Sequence, residues 1–303
     1  MIFYFKDRIT FFSALVCFCF LIGPANAAEV TTTHNNLTLN GRLMVAEGKS
    51  IKDGVVLLTH GTLAHNRMEL IETLQKGLKE RGLTSLAITL SLGVKKRTGM
   101  YDCKVPHNHR HEDALDEIGV WLGWLKSQGA GDIVLMGHSR GGNQTVWFAA
   151  ERATREVKRV VLLAPATWNA GRRAAGFKRS HKQSLQPVLE KANKLVAEGK
   201  GDQMLKKVGV LYCPGADVSA KSFASYYKNE PRFHSPNHLS KLKVPVLVIA
   251  GAEDKVVWGL PKLIKPLADG KKIALKVIVE AGHFFLDFYA EDVADAVAEF
   301  VAP

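Results

Sequence analysis

Cysteine is scarce in this chain. Of four among 303 residues, Cys17 and Cys19 fall within an N-terminal apolar run, leaving only Cys103 and Cys213 beyond it. No C-x-x-C pair occurs, which argues against a cysteine-based zinc site. Past residue 27, no apolar stretch approaches the ~20 residues that a membrane-spanning helix needs. Acidic residues are also short, 29 against 41 basic ones, for a formal charge of +12. Such a balance fits either a generally basic exported protein or anionic partners, such as acidic substrates or membrane surfaces. Nucleic acid is not expected among them, because no binding module and no basic stripe interleaved with aromatics accompanies the charge. Internal repeats and low-complexity linkers are absent, and a hydrophobic content of 47% argues against disorder.

The first residues read as a targeting segment. Lys6 and Arg8 supply positive charge, an apolar run covers 9–23, and Pro24 precedes Ala25-Asn26-Ala27 with small residues where a signal peptidase expects them. A signal peptide over 1–27 therefore predicts an exported protein, periplasmic or secreted, in which 28–303 forms one domain. In an oxidising compartment Cys103 and Cys213 become candidates for a disulfide closing a long loop. Whether they approach within bonding distance stays open at this point.

Hydrophobic patterning predicts strands alternating with helices. An N-terminal hairpin is expected over 31–39 and 42–46, turning at Asn40-Gly41. Apolar runs at 54–59, 83–90, 132–136, 159–163, 244–250 and 273–279 read as buried strands, with a further short strand at 208–212. Helical spacing covers 68–80, stopped by Gly82, and then 112–128, 219–227, 260–267 and 290–301. Pro261 and Pro266 interrupt the fourth of these helices. From Pro165 onward apolar residues thin out and basic ones crowd in, among them Arg172, Arg173, Lys178, Arg179 and Lys182. The alternation implies an α/β fold: a mostly parallel central sheet with helices on both faces.

One short stretch carries chemistry. Gly137-His138-Ser139-Arg140-Gly141 places a serine between two glycines, with a strand before it and a helix-compatible run after it. A serine on so tight a turn sits in strained backbone with its hydroxyl exposed, and a β-carbon at either glycine would strike a neighbouring element. A serine hydroxyl needs a base, and the base needs a third group to orient it and stabilise its charged form. His283 lies just past the last strand, and Asp254 just past the strand at 244–250. Ligand chemistry in open parallel sheets gathers at this carboxyl edge. Rival acids are Glu253, Asp287 and above all Asp217, which follows the short strand at 208–212.

In these motifs and in its strand–helix order the chain resembles the α/β-hydrolase family. The resemblance implies Ser139 as nucleophile, Asp254 as acid and His283 as base, in that chain order. It also likens His60-Gly61 to the family's oxyanion loop, so that the amides of Thr62 and Arg140 would bind the developing negative oxygen. The segment at about 165–240 would then be an inserted cap that selects the substrate. The implied activity is a serine hydrolase cleaving a carboxylic ester or related acyl bond of a small molecule through an acyl-enzyme, with no metal or organic cofactor.

Two features lie outside that resemblance. His107, His109 and His111 alternate and would share one face of an extended segment, able to hold zinc or copper with help from His60 or His65. Otherwise they belong to an exposed or substrate-lining loop, meeting water and acids such as Glu112 and Asp113. The basic insertion is either a solvated surface or a site for an anionic group on the substrate, with Trp168, Phe177, Phe223, Tyr226 and Tyr227 available as walls. A non-catalytic or metal-binding exported protein keeping the same fold is the alternative reading.

Overall fold

A computed structural model describes residues 27–302. The proposed signal peptide, with Cys17 and Cys19, lies outside the described residues apart from Ala27. An eight-stranded sheet is built from β1 (Ala28–His34), β2 (Leu37–Met44), β3 (Val55–Thr59), β4 (Ser85–Thr89), β5 (Ile133–His138), β6 (Val157–Leu163), β9 (Val246–Gly251) and β10 (Ile273–Ile278). Its order is β1-β2-β4-β3-β5-β6-β9-β10. The six strands from β4 to β10 run parallel, while β1 and β2 add an antiparallel edge. Strands β3 and β4 are buried at every residue, as their unbroken apolar runs require when both sheet faces are covered.

Helices α1 (Glu69–Glu80) and α9 (Tyr289–Val301) cover one face, contributing Ile71, Leu74, Leu78, Val293 and Val297 to a core with Leu58, Met136 and Leu163. Helices α2 (Asp113–Ser127) and α3 (Ser139–Arg152) cover the other, where Trp121, Leu122 and Phe148 pack on Leu57, Leu86 and Leu135. The proline-interrupted run yields α8 (Leu260–Ile264), which carries Pro261 in its first turn and ends before Pro266.

Two expectations change. The hairpin turns at Asn35-Asn36, both left-handed (φ 46° and 62°), rather than at Asn40-Gly41. Asparagine tolerates that conformation, and two consecutive residues in it make the tight turn that joins twisted antiparallel strands. Gly41 instead lies inside β2, where a β-carbon would come within 3.0 Å of both Leu86 and Trp121. The expected strand at 208–212 is a turn: Leu211 is left-handed (φ 53°), and the Val210 and Cys213 backbones bond to each other across it.

Between β6 and β9 the chain forms α4 (Ala170–His181), α5 (Leu185–Ala197), the paired strands β7 (Met204–Leu205) and β8 (Val218–Ser219), α6 (Ala220–Tyr227) and α7 (Pro236–Leu239). Phe177, Phe223 and Tyr227 give this insertion a small core of its own. It is fastened to the loop after β4 in two ways. Cys103 and Cys213 form a disulfide with Cα atoms 5.2 Å apart, and His107 pairs with the β8 strand through His107 N–H to Asp217 O and Ser219 N–H to His107 O, both 2.9 Å.

The disulfide joins positions 110 residues apart, so removing it frees a long loop in the unfolded chain. Chain entropy predicts a loss of up to about 4–5 kcal/mol. Cys103→Ser/Cys213→Ser should therefore unfold at lower denaturant concentration than the oxidised wild type. An unchanged midpoint would show that the bond carries none of that stability.

Candidate active site

Three loops at the carboxyl edge of the sheet bring the site together. At the β5–α3 junction Ser139 is left-handed, with φ 56°. That conformation is a strain of order 1–3 kcal/mol for a residue with a β-carbon, and it persists only where the surroundings impose it. They do so by close approach: a β-carbon on Gly137 would overlap Thr145 Oγ1 and the Gly141 carbonyl, and one on Gly141 would overlap the His60 carbonyl. Ser139 O accepts from Ala166 N–H at 2.8 Å, which fixes the turn from the β6 side.

The loops after β9 and β10 deliver Asp254 and His283, both buried. Asp254 Oδ2 lies 2.8 Å from His283 Nδ1, and His283 Nε2 lies 2.9 Å from Ser139 Oγ. Nδ1–H donating to the carboxylate leaves Nε2 to accept from the serine hydroxyl. The other carboxylate oxygen, Asp254 Oδ1, accepts from the Val256 and Val257 amides at 2.7 and 2.8 Å. Burial works to raise the Asp254 pKa, but His283 and the two amides outweigh it and hold the group below its ordinary range.

The rival acids are elsewhere. Asp217 bonds Lys206 Nζ at 2.8 Å and the Lys207 amide at 2.9 Å, and Glu253 and Asp287 are exposed. Thr62 and Arg140 line the same cavity as Ser139. Their side chains also touch, Arg140 Nε donating to Thr62 Oγ1 at 3.0 Å.

The histidine segment differs from both readings of its spacing. His107, His109 and His111 are all buried, and among the described residues no three His, Cys, Asp or Glu side chains gather as a metal site. His107 Nδ1 lies 3.1 Å from His109 Nε2, and His109 Nδ1 lies 2.7 Å from the Tyr226 hydroxyl. His111 Nδ1 accepts from Arg140 Nη1 at 3.1 Å, while its Nε2–H donates to Asn143 Oδ1 at 3.1 Å. The segment is thus an internal strut that positions Arg140 and Tyr226, rather than an exposed loop. Of the five expected aromatic walls, Phe177 and Tyr227 line the cavity from the insertion's core, whereas Trp168, Phe223 and Tyr226 do not line it.

Several polar residues near the site carry no signal in the sequence. His138, behind the serine turn, donates Nε2–H to His283 O at 3.0 Å. Burial, reinforced by the neighbouring His283, pushes its pKa down to about 3 and keeps it neutral. Arg97 is buried beneath the loop that carries Thr62. It donates to Ala64 O (2.6 Å), Leu90 O (2.8 Å) and His60 Nε2 (3.2 Å). Glu117 of α2 lies nearby and accepts from the Ser91 amide (2.7 Å) and hydroxyl (2.5 Å). These contacts join distant segments, so no local motif announces them.

The chain belongs to the alpha/beta hydrolase family, whose sequence model matches residues 55–299. No curated protein matches it in sequence. Among solved structures it is similar to Est1E from Butyrivibrio proteoclasticus with ferulic acid bound, at 20% identity and a TM-score of 0.64, covering 89% of this chain and 97% of that one. It is also similar to a monoacylglycerol lipase of Paleococcus ferrophilus (20% identity, TM-score 0.59, 86% and 97% covered). An esterase of Pyrococcus furiosus aligns at 18% identity and a TM-score of 0.58, covering 91% and 90%. At these identities the likeness is one of fold.

The buried Glu117 gives stability a pH dependence of its own. Burial lifts its pKa from 4.5 to about 7, against the Ser91 hydrogen bonds and the Arg97 charge, which lower it. A carboxyl raised on folding contributes full stability below its unfolded pKa and loses it as pH climbs through the folded value. Between about pH 4.5 and 7 Glu117 should therefore cost the fold on the order of 3 kcal/mol. Glu117→Gln, compared with wild type by denaturant unfolding across that window, should flatten this part of the profile. Parallel profiles would show that Glu117 is ionised throughout.

Proposed function

We propose that the protein is a serine hydrolase that cleaves a carboxylic ester of a small molecule. The reading rests on one observation: a buried hydrogen-bonded chain from Ser139 Oγ through His283 to Asp254, opening on a cavity of about 270 Å³.

In this mechanism His283 Nε2 takes the proton of Ser139 Oγ as that oxygen attacks the ester carbonyl carbon. Asp254 stays ionised and stabilises the imidazolium. The Thr62 and Arg140 amides are the donors for the oxyanion, a role in which one such donor is typically worth about 3 kcal/mol. As the tetrahedral intermediate collapses, the C–O bond to the alcohol breaks and the alcohol oxygen receives the proton from His283. Water, deprotonated by the same nitrogen, then attacks the acyl-enzyme and releases the acid and free Ser139. No step calls for a metal or organic cofactor.

We further read 28–303 as a single domain in which the insertion at 165–240 caps the cavity and selects the substrate, and residues 1–27 as the signal for export to the periplasm or beyond. The Cys103–Cys213 bond supports export, because such bonds persist mainly in oxidising compartments.

A fluorophosphonate probe should label wild type on Ser139 and leave Ser139→Ala unlabelled, with ester hydrolysis reduced by at least about 10⁴-fold. Asp254→Asn should fold normally and lose about 10⁴-fold in kcat. Hydrolysis surviving in Ser139→Ala would overturn the mechanism. N-terminal sequencing of the mature protein from its native host should begin at Ala28; a chain starting at Met1 would remove the signal-peptide reading.

A further inference from the structure

Arginines elsewhere in the molecule generally have carboxylate partners. Arg67 pairs with Glu29, Arg81 with Glu291 and Asp295, Arg110 with Asp113, and Arg232 with Glu230. The cavity at Ser139 breaks this pattern. Arg140, Arg172, Arg173 and Arg179 all line it, no aspartate or glutamate does, and none of the four forms an ion pair among the described residues. The Asp254 carboxylate, linked to Ser139 through His283, is committed to that ring and to two amides.

Three of these arginines are steadied by neighbours, Arg172 by the Trp258 carbonyl (3.3 Å) and ring (4.6 Å). Arg140 is fixed by Thr62 and His111, and its guanidinium lies 5.2 Å from the Tyr226 ring centre. Arg173, on α4, lies 4.9 Å from the centre of the Trp168 ring. That ring is itself anchored, with Nε1–H donating to Asn229 Oδ1 (3.0 Å) and the backbone N–H to His234 Nδ1 (3.2 Å). The Arg173 backbone N–H donates to Asn169 O at 3.0 Å, while among the described residues its guanidinium makes no hydrogen bond and no ion pair. An arginine steadied over an aromatic face keeps its planar fork of N–H donors free, the geometry that matches a carboxylate. Burial and then the charge of Arg140 lower the Arg173 pKa to about 10, so a second cation nearby goes uncompensated. Like charges gathered in one cleft are costly unless an anion joins them.

We propose that the ester cleaved here carries a carboxylate, bound by Arg173 together with Arg140 while the acyl carbon sits at Ser139. This inference rests on the ester-hydrolase reading and narrows it to anionic esters. The cavity, about 270 Å³, suits a small acid rather than a long acyl chain.

The test compares matched esters. Mono-4-nitrophenyl adipate is set against 4-nitrophenyl hexanoate for a carboxylate on the acyl side, and 4-acetoxybenzoate against 4-acetoxybenzamide for one on the leaving group. Wild type should favour the charged member of at least one pair by about 10–100-fold in kcat/KM. In Arg173→Met that ratio should fall toward one, and in Arg173→Lys it should be intermediate. The ratio is internal to each variant, so a general loss of folding does not imitate the result. Equal rates for charged and neutral members in wild type, or a preference unchanged in Arg173→Met, would overturn the proposal. If no ester is turned over and Ser139 resists the fluorophosphonate, the hydrolase reading fails, and the anion site is then decided by binding alone. Calorimetry on Ser139→Ala should show monomethyl adipate binding at least about ten-fold more tightly than methyl hexanoate, with the difference lost when Arg173→Met is added. Equal binding of the two would refute the site.

Discussion

Ser139 adopts a backbone conformation that a residue with a β-carbon rarely accepts, and much of the site's arrangement follows from how that conformation is enforced. The turn is squeezed between the end of β3 and the start of α3, with the His60 carbonyl close enough to exclude any side chain at position 141. Its strain is of order 1–3 kcal/mol, small beside the apolar burial of β3, β5 and β6, which are central in the sheet and covered on both faces. The same packing sets where the β9 and β10 loops emerge, and therefore where Asp254 and His283 can reach.

Electrostatics around that turn are unusually selective. His60, His109, His111 and His138 all lie near the site, and burial pushes the pKa of each well down. Each serves as a neutral donor–acceptor link, bonding a carbonyl, a hydroxyl, an amide side chain or another ring. His283 alone among the described histidines is paired with a carboxylate. Of the rings gathered near this cavity, His283 is thus the one placed beside a negative charge.

The strands of the parallel sheet were legible because strands buried on both faces must be continuous apolar runs, and the serine turn because glycine is the only residue that fits beside it. The Asp254 and His283 positions were legible because both follow such strands directly. The hairpin turn was misread because Asn40-Gly41 carries a turn signal, yet Gly41 is there to admit Leu86 and Trp121. The run at 208–212 is apolar enough for a strand, but a left-handed Leu211 and the disulfide bend it into a turn. The histidine segment misled for a different reason. Alternation shows that three side chains share a face without showing what lies opposite, which proved to be Tyr226, Asn143 and Arg140. Arg97 joins segments that only the fold brings together.

The disulfide has a consequence beyond stability. Ser139, His283 and Asp254 hang from the central sheet and owe their positions to its packing. Leu211 and Tyr212, which form part of the cavity wall, sit beside Cys213, while Cys103 lies two residues from Tyr101, whose amide holds the Leu63 carbonyl next to Thr62. One covalent bond thus ties this wall to the loop after β4, which in turn bonds the Thr62 loop through Tyr101. Ser139, His283 and Asp254 are set by noncovalent packing, whereas the insertion's side of the cavity is held by a covalent bond as well.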